Sequence, residues 1–386
     1  MADRTEAGRS TVAVVRCETY EIDAVRAAVR RGLSLLGGVQ RFARRGDRIL
    51  LKPNLLVPRS ADRAVTTHPS VFRAVAEALK ETGAILSYGD SPGFGATGWV
   101  ARRAGLAEVA EDLGIPIADF GTSEQVSFAD GRLIKQFTLA RGALEAEGIV
   151  SLPKLKTHGL TRMTGAIKNQ FGCVVGALKP EFHARLQNVE LFSQMLVDLT
   201  RFLRPRLFVM DGIVAMEGNG PQGGRPRTMN VLLLSDDPVA LDATVCRMIG
   251  LDVNLVPPIV HGEAAGLGRS TGIALVGDPM DGFVVDDFDV NRSPRSTTGK
   301  PGTLNRLMRR VVVPRPVVRA ERCTRCGTCV SVCPVTPKAI AFADDQRLRP
   351  PSHAYQRCIR CYCCQELCPE AAIEVDVPLL GRLIQR

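Results

Sequence analysis

Cys323-x-x-Cys326-x-x-Cys329-x-x-x-Cys333-Pro334 returns about 35 residues later as Cys358-x-x-Cys361-x-x-Cys364-x-x-x-Cys368-Pro369. With Cys363 these runs hold nine of the twelve cysteines; Cys17, Cys173 and Cys246 are the others. A secreted, disulfide-stapled protein does not leave some 320 residues nearly free of cysteine and crowd the rest into one tail. The stretch Met1 to Ser10 is polar and lacks an apolar signal core. Both observations point to thiolate ligands in a reducing cytoplasm.

The repeated run resembles the bacterial two-cluster ferredoxin pattern, in which three cysteines of each run hold one cubane and the fourth crosses to the other. The resemblance covers about 60 residues. It implies one [4Fe–4S] cluster on Cys323, Cys326, Cys329 and Cys368, and a second on Cys358, Cys361, Cys364 and Cys333. Three thiolates at intervals of three on a tight loop suit three corners of a cube, and the proline after the fourth ends the loop. A structural zinc module is the competing reading, but its halves are paired C-x-x-C. The stretches Ala339-Ile340-Ala341-Phe342 and Ala371-Ala372-Ile373 read as closing strands. So small a module leans on its clusters for folding energy. Pro334 to Lys338 is two residues longer than its counterpart, which would tilt one half. Cys363 reads as a small packed residue, with tuning of a cluster as the alternative.

Upstream, strands and helices alternate. Thr11 to Val15, Arg48 to Leu51, Ala84 to Ser87, Gly148 to Leu152, Leu207 to Met210 and Met229 to Leu234 read as strands. Ala24 to Leu36, Trp99 to Leu113, Leu191 to Leu203 and Pro238 to Ile249 read as helices. Val71, Phe72, Val75, Ala78 and Leu79 share one helical face opposite Arg73, Glu77 and Lys80. The expected fold class is α/β, a mostly parallel sheet covered by helices, followed by a small α+β two-cluster ferredoxin-like domain. The expected divisions are 10–285 for the α/β domain, 286–319 for a basic linker with a short helix near Leu304 to Val311, and 320–378 for the cysteine module. The linker's Arg306, Arg309, Arg310, Arg315, Arg319 and Arg322 offer a rim for an acidic ferredoxin or flavodoxin donor, or simply a solvated connection.

The distinctive polar motifs fall just after strands, where open α/β sheets bind ligands. They are Lys52-Pro53-Asn54, Gly89-Asp90-Ser91-Pro92-Gly93, Pro153-Lys154-Leu155-Lys156-Thr157-His158, Asp211-Gly212 and Glu217-Gly218-Asn219-Gly220-Pro221. With Gly165-Ala166-Ile167-Lys168-Asn169-Gln170-Phe171-Gly172-Cys173 they resemble domain-of-unknown-function family 362 from about residue 12 to 285. Members of that family often carry a ferredoxin module. The family name confers no reaction.

Gathered in one cleft, Lys52, Lys154, Lys156 and Lys168 would attract an anion, and their crowding would lower a lysine pKa into the range of acid–base work. Lys156, His158 and Lys168 are the candidate catalytic residues. Lys52, Asn54, Asp90, Ser91, Lys154, Asn169, Asp211, Glu217 and Asn219 are the candidate binding residues, with the acids balancing charge, orienting lysines or holding a metal. Cys173 and Cys246 read as packed, and Asp236, Asp237 and Asp242 as flanking a helix.

Composition narrows the choice. Hydrophobic residues are 45% and charged residues 23%, enough for a core, while 5% aromatics argue against a base-stacking surface. A net charge of +10 favours acidic partners, yet no nucleic-acid motif accompanies it. No apolar run approaches the length of a membrane span, and no glycine run matches a Walker loop or dinucleotide fingerprint. The leading expectation is a cytoplasmic iron–sulfur reductase that passes single electrons to an anionic or carbonyl-containing small molecule. The rivals are an electron carrier or redox adaptor without turnover, and a non-redox acid–base or metal site with structural clusters.

Overall fold

The computed structural model describes residues 10–293 and 314–378. Its main sheet runs β11-β1-β10-β9-β6-β2-β3, with two further strands, β7 and β8, attached beside β9. These are β1 Thr11–Arg16, β2 Arg48–Pro53, β3 Ile85–Tyr88, β6 Gly148–Leu152, β7 Lys154–His158, β8 Arg162–Thr164, β9 Leu207–Glu217, β10 Arg225–Ser235 and β11 Ala274–Gly277; β4 Ser123–Ser127 and β5 Gln136–Ala140 form a separate hairpin. The pairs β2–β3, β2–β6, β6–β9, β7–β9 and β1–β11 are parallel; β10 runs antiparallel to β1 and β9.

Both faces are covered. Val12, Val14, Phe208, Met210, Val231 and Leu233 pack with the helices Val189–Leu203 and Pro238–Met248. Their alternates Ala13, Val15, Leu207, Val209, Leu232 and Leu234 pack with Ile22–Leu35 and Pro69–Lys80. The two-residue period therefore serves two cores at once. The helix Pro69–Lys80 starts with proline in its first turn, with His68 Nδ1 accepting from Ser70 N. The stretch expected as one helix from Trp99 to Leu113 is two, Thr97–Arg103 and Leu106–Asp112, because Gly105 sits at φ +76° between them.

Two expected strand-end motifs lie within strands. Lys154 to His158 is β7 itself, and Asp211-Gly212 is in the middle of the eleven-residue β9. Strand β9 pairs with β6 through Leu207 and Phe208, and with β7 through Asp211 and Met216. The chain crosses from β3 on one side of β2 to β6 on the other, so the strand order reverses there and a crevice opens beyond the carboxyl ends of β2 and β6.

The tail folds as two small antiparallel pairs, β12 Arg315–Val318 with β15 Ile373–Asp376, and β13 Ile340–Ala341 with β14 Ser352–His353. Arg315–Val318 was expected within the linker but opens the cysteine module. Residues at the linker's other end belong to the large domain, since Phe288 and Val290 are buried in its core. The expected helix Leu304 to Val311 and the residues Arg306, Arg309 and Arg310 lie outside the described residues. Of the remaining rim, Arg319 and Arg322 both pair with Glu374, and Arg315 pairs with Asp376.

Candidate functional site

In the cysteine module, Cys323, Cys326, Cys329 and Cys368 line one small cavity together with Val318, Ala372 and Ile373. Three come from the first run and one from the second. Burial pushes the Cys364 thiol well up, and the nearby thiols of Cys361, Cys358, Cys329 and Cys333 push it further. The two loops match in backbone. Arg325 and Gly327 in the first, and Arg360 and Tyr362 in the second, all take left-handed φ between 59° and 83°. A non-glycine residue held there costs about 1–2 kcal/mol, and both loops carry the conformation at the same two positions.

The fourth cysteines match too. Ala339 N donates to Cys333 Sγ and Ala372 N to Cys368 Sγ, each at 3.3 Å. The two extra residues after Cys333 are taken up in an exposed or half-exposed turn without disturbing this bond. Among the described residues no three His, Cys, Asp or Glu side chains gather tightly enough for a single metal ion. A cysteine-lined cavity with backbone donors on the sulfurs fits an iron–sulfur cluster. Cys363 is buried, and its hydrogen bond to Cys361 lowers the latter's pKa. Cys173 and Cys246 are buried as expected, Cys17 is buried too, and burial pushes Cys173 to about 12.

The polar crevice is lined by Asn54, Asp90, Ser91, Lys156, Lys168, Asn169 and Lys179 of the large domain, and by Glu366 of the cysteine module. Its open volume is about 50 Å³ for the centres of water-sized molecules, room for about three to five waters. Lys52 lies just behind, paired with Asp90 at 2.7 Å; Asp90 also accepts from Leu55 N. The chain passes so close that a Cβ on Gly172 would meet Asp90 Oδ1 at 1.7 Å. Asn169 donates to Ser151 Oγ and accepts from Asn54, fixing the second asparagine.

Lys156 is fully buried. It donates to Asn54 Oδ1 at 2.7 Å and Val65 O at 2.6 Å, both neutral. Burial, reinforced by Lys168, brings its pKa down to about 7. Burial brings Lys179 to about 8; its Nζ donates to Ser91 O. Sequence reading missed Lys179 and Glu366, because a lysine on a half-buried helix and a glutamate between two cysteines carry no motif of their own.

His158 differs from expectation. Its Nδ1 accepts from Leu160 N at 3.0 Å, which leaves the proton on Nε2. Burial, then Lys168, pushes its pKa to about 4. At neutral pH it is a neutral donor and not an acid. Four expected binding residues stand elsewhere. Lys154 and Asp211 pair at 2.8 Å, and Tyr20 Oη bonds both at 2.8 Å, a closed buried network. Glu217 is held by Arg225 and by Asp289 N. Asn219, at the tip of the β9–β10 hairpin, donates to Ile373 O and accepts from Val375 N and Gln365 Nε2, so it docks the cysteine module. Gln222 of the same tip donates to Glu366 O and Cys368 O.

The docked module brings Glu366 to the crevice. Its Oε2 lies 3.4 Å from His158 Nε2 and its Oε1 3.8 Å from Lys168 Nζ. Burial opposes its ionisation, but Lys168 and His158 outweigh that and hold it well below the usual carboxylate range.

Two stretches of the chain match known families. Residues 49–247 match the family described as Domain of unknown function (DUF362), and residues 315–369 match a 4Fe-4S dicluster domain. The "Thylakoid-associated protein sll1697" of Synechocystis sp. is 37% identical over 258 residues, 67% of this chain and 80% of that protein. The solved lactate racemase apoprotein from Thermoanaerobacterium thermosaccharolyticum overlays with a TM-score of 0.39 at 11% identity, over 63% of this chain and 58% of that one, less than two thirds of its length.

Proposed function

The chain belongs to the DUF362 family and its tail is an iron–sulfur electron-transfer domain, and on that footing we propose that it is a reductase acting on an anionic or carbonyl-containing small molecule in the lysine-lined crevice. In this reading Cys323, Cys326, Cys329 and Cys368 hold one [4Fe–4S] cluster, and Cys358, Cys361, Cys364 and Cys333 hold the second. When bound, the clusters supply electrons one at a time. The observation that carries the reading is the position of Glu366: the segment from Cys364 to Cys368 contributes a cysteine at each end and a wall of the crevice between them.

The chain's own groups supply the rest. Lys156 Nζ, with a pKa near 7, releases a proton to the reacting oxygen or carbon and regains it from solvent. Asn54 and the Val65 carbonyl hold that nitrogen in place. Lys168 and Lys179 attract the anion and stabilise charge that develops on it. His158 Nε2 donates a neutral hydrogen bond.

A soluble donor of the ferredoxin or flavodoxin type would approach on the side of Cys326, the one exposed cysteine. We place the protein in the cytoplasm, on its thiolate-type cysteine usage. No helix among the described residues is long and apolar enough to cross a membrane. The cyanobacterial relative is named as thylakoid-associated, so fractionation into supernatant and membrane pellet decides the location.

The test is anaerobic. Reduced protein is mixed with small carboxylates, phosphates and carbonyl compounds, and the iron–sulfur absorbance is followed. Reoxidation that depends on one of these compounds supports the reductase. Its absence, with a stable complex to another oxidoreductase, supports the carrier. Turnover that survives oxidation of the clusters supports the non-redox site.

A further inference from the structure

We propose that the crevice takes a small monocarboxylate, and that Glu366 is its internal stand-in, occupying the carboxylate's seat until the substrate displaces it. The inference rests on the reading of the crevice given above and adds its ligand class and its gate.

Three observations carry it. First, the seat is already filled by a carboxylate. Glu366 reaches in from the cysteine module and faces His158 Nε2 and Lys168 Nζ, both on the large domain.

Second, the fit is loose. Charge-assisted bonds between ammonium and carboxylate close to about 2.7–2.9 Å, as Lys52–Asp90 and Lys154–Asp211 do nearby at 2.7 and 2.8 Å. Glu366 stays 3.8 Å from Lys168 and 3.4 Å from His158. Among the described residues Glu366 is the one partner of Lys168 Nζ, whose side chain is 10% exposed. His158 Nε2 is a buried donor whose one approach, to Glu366 at 3.4 Å, falls short of a well-formed hydrogen bond. Buried polar groups left this way are costly, and a free carboxylate untethered to the backbone can approach both donors closely.

Third, size and charge agree. About 50 Å³ of open volume leaves room for a few heavy atoms beyond the carboxylate. Lys156, Lys168 and Lys179 face it against Glu366 and an Asp90 already paired with Lys52. Withdrawal of Glu366 leaves an uncompensated ammonium cluster that one incoming anion neutralises. Because Glu366 sits two residues from both Cys364 and Cys368, displacement of its side chain reports to the cysteine loop.

The test uses the full chain, anaerobically reconstituted, with acetate as the probe and inorganic phosphate as the comparison. Binding is read by line broadening of ¹³C-acetate or ³¹P-phosphate, and iron content is checked for every variant. Glu366→Gln should tighten acetate by about tenfold or more, equivalent to about 1.4 kcal/mol. Glu366→Asp, which keeps the charge but draws it back one methylene, should fall between. Lys168→Gln should weaken acetate in either background. Equal acetate affinity in wild type, Glu366→Gln and Glu366→Asp, still lost in Lys168→Gln, would overturn the stand-in while leaving the anion crevice intact. A gain for phosphate without one for acetate, or no acetate binding in any variant, would overturn the carboxylate class.

Discussion

Lys156 Nζ sits 2.7 Å from Asn54 Oδ1, an amide where the neighbouring buried lysines have carboxylates: Lys52 meets Asp90 and Lys154 meets Asp211. Lys156 therefore holds its buried nitrogen on neutral acceptors alone, whereas Lys52 and Lys154 each sit in a buried ion pair.

The first expected outcome is a titration. In protein with ¹³Cε-labelled lysine, one resonance should titrate near pH 7, and Lys156→Met should remove it. Lys156 is protonated below that midpoint and loses its proton as pH rises through it, so reduction that uses it as the acid should decline above pH 7. Asn54→Asp places a carboxylate beside the ammonium and should raise the midpoint by about one unit or more. A Lys156 resonance that stays near 10.5 would refute this.

Lys154 should behave as a structural residue. Lys154→Ala leaves Asp211 buried without its cation and should cost about 3–5 kcal/mol in urea unfolding followed by circular dichroism. Tyr20→Phe should cost about 1–3 kcal/mol by leaving the same network short of a partner. Unchanged stability in both, with lost acetate binding, would return Lys154 and Asp211 to the crevice.

The cysteines divide by role. The wild type should carry about eight irons per chain, two cubanes. Cys364→Ala should lose iron, whereas Cys363→Ala should keep it and show shifted redox potentials through the lost hydrogen bond to Cys361. Iron analysis and potentiometric electron paramagnetic resonance read both. Equal iron loss in the two variants would make Cys363 a ligand.

Asn219 should hold the module in place. Asn219→Ala removes bonds to Ile373, Val375 and Gln365, and hydrogen exchange should speed at β15 with iron content kept. Loss of acetate affinity without faster exchange would restore Asn219 as a binding residue.

Much of this was legible in the residues. The strands at Thr11, Arg48, Ile85 and Gly148 announce themselves because β-branched and aliphatic runs are interrupted by turn residues, and the cysteine spacing dictates its own loops. The crevice was half legible: Lys-Pro-Asn closes β2 and Gly-Asp-Ser follows β3, strands that the pattern delimits. What failed was the assumption that every polar motif after an apolar run is a loop. Lys154 to His158 continues as a strand because β9 is long enough to pair with β6 and then with β7, a tertiary fact. Asn219 looked like a ligand residue because its hairpin tip is polar, and only the docked tail gives it a partner. Glu366 was invisible because its neighbours in sequence are cysteines while its neighbours in space are Lys168 and His158.

The most direct test is the proximity of a crevice ligand to the reduced clusters. ¹³C-carboxyl acetate is added to anaerobic Glu366→Gln protein, and its relaxation is compared between the reduced paramagnetic and oxidised states, with Lys168→Gln as the control. The expected result is relaxation enhancement on reduction that disappears in the control. Acetate that binds through Lys168 yet relaxes identically in both states would contradict transfer from the cysteine module to the crevice.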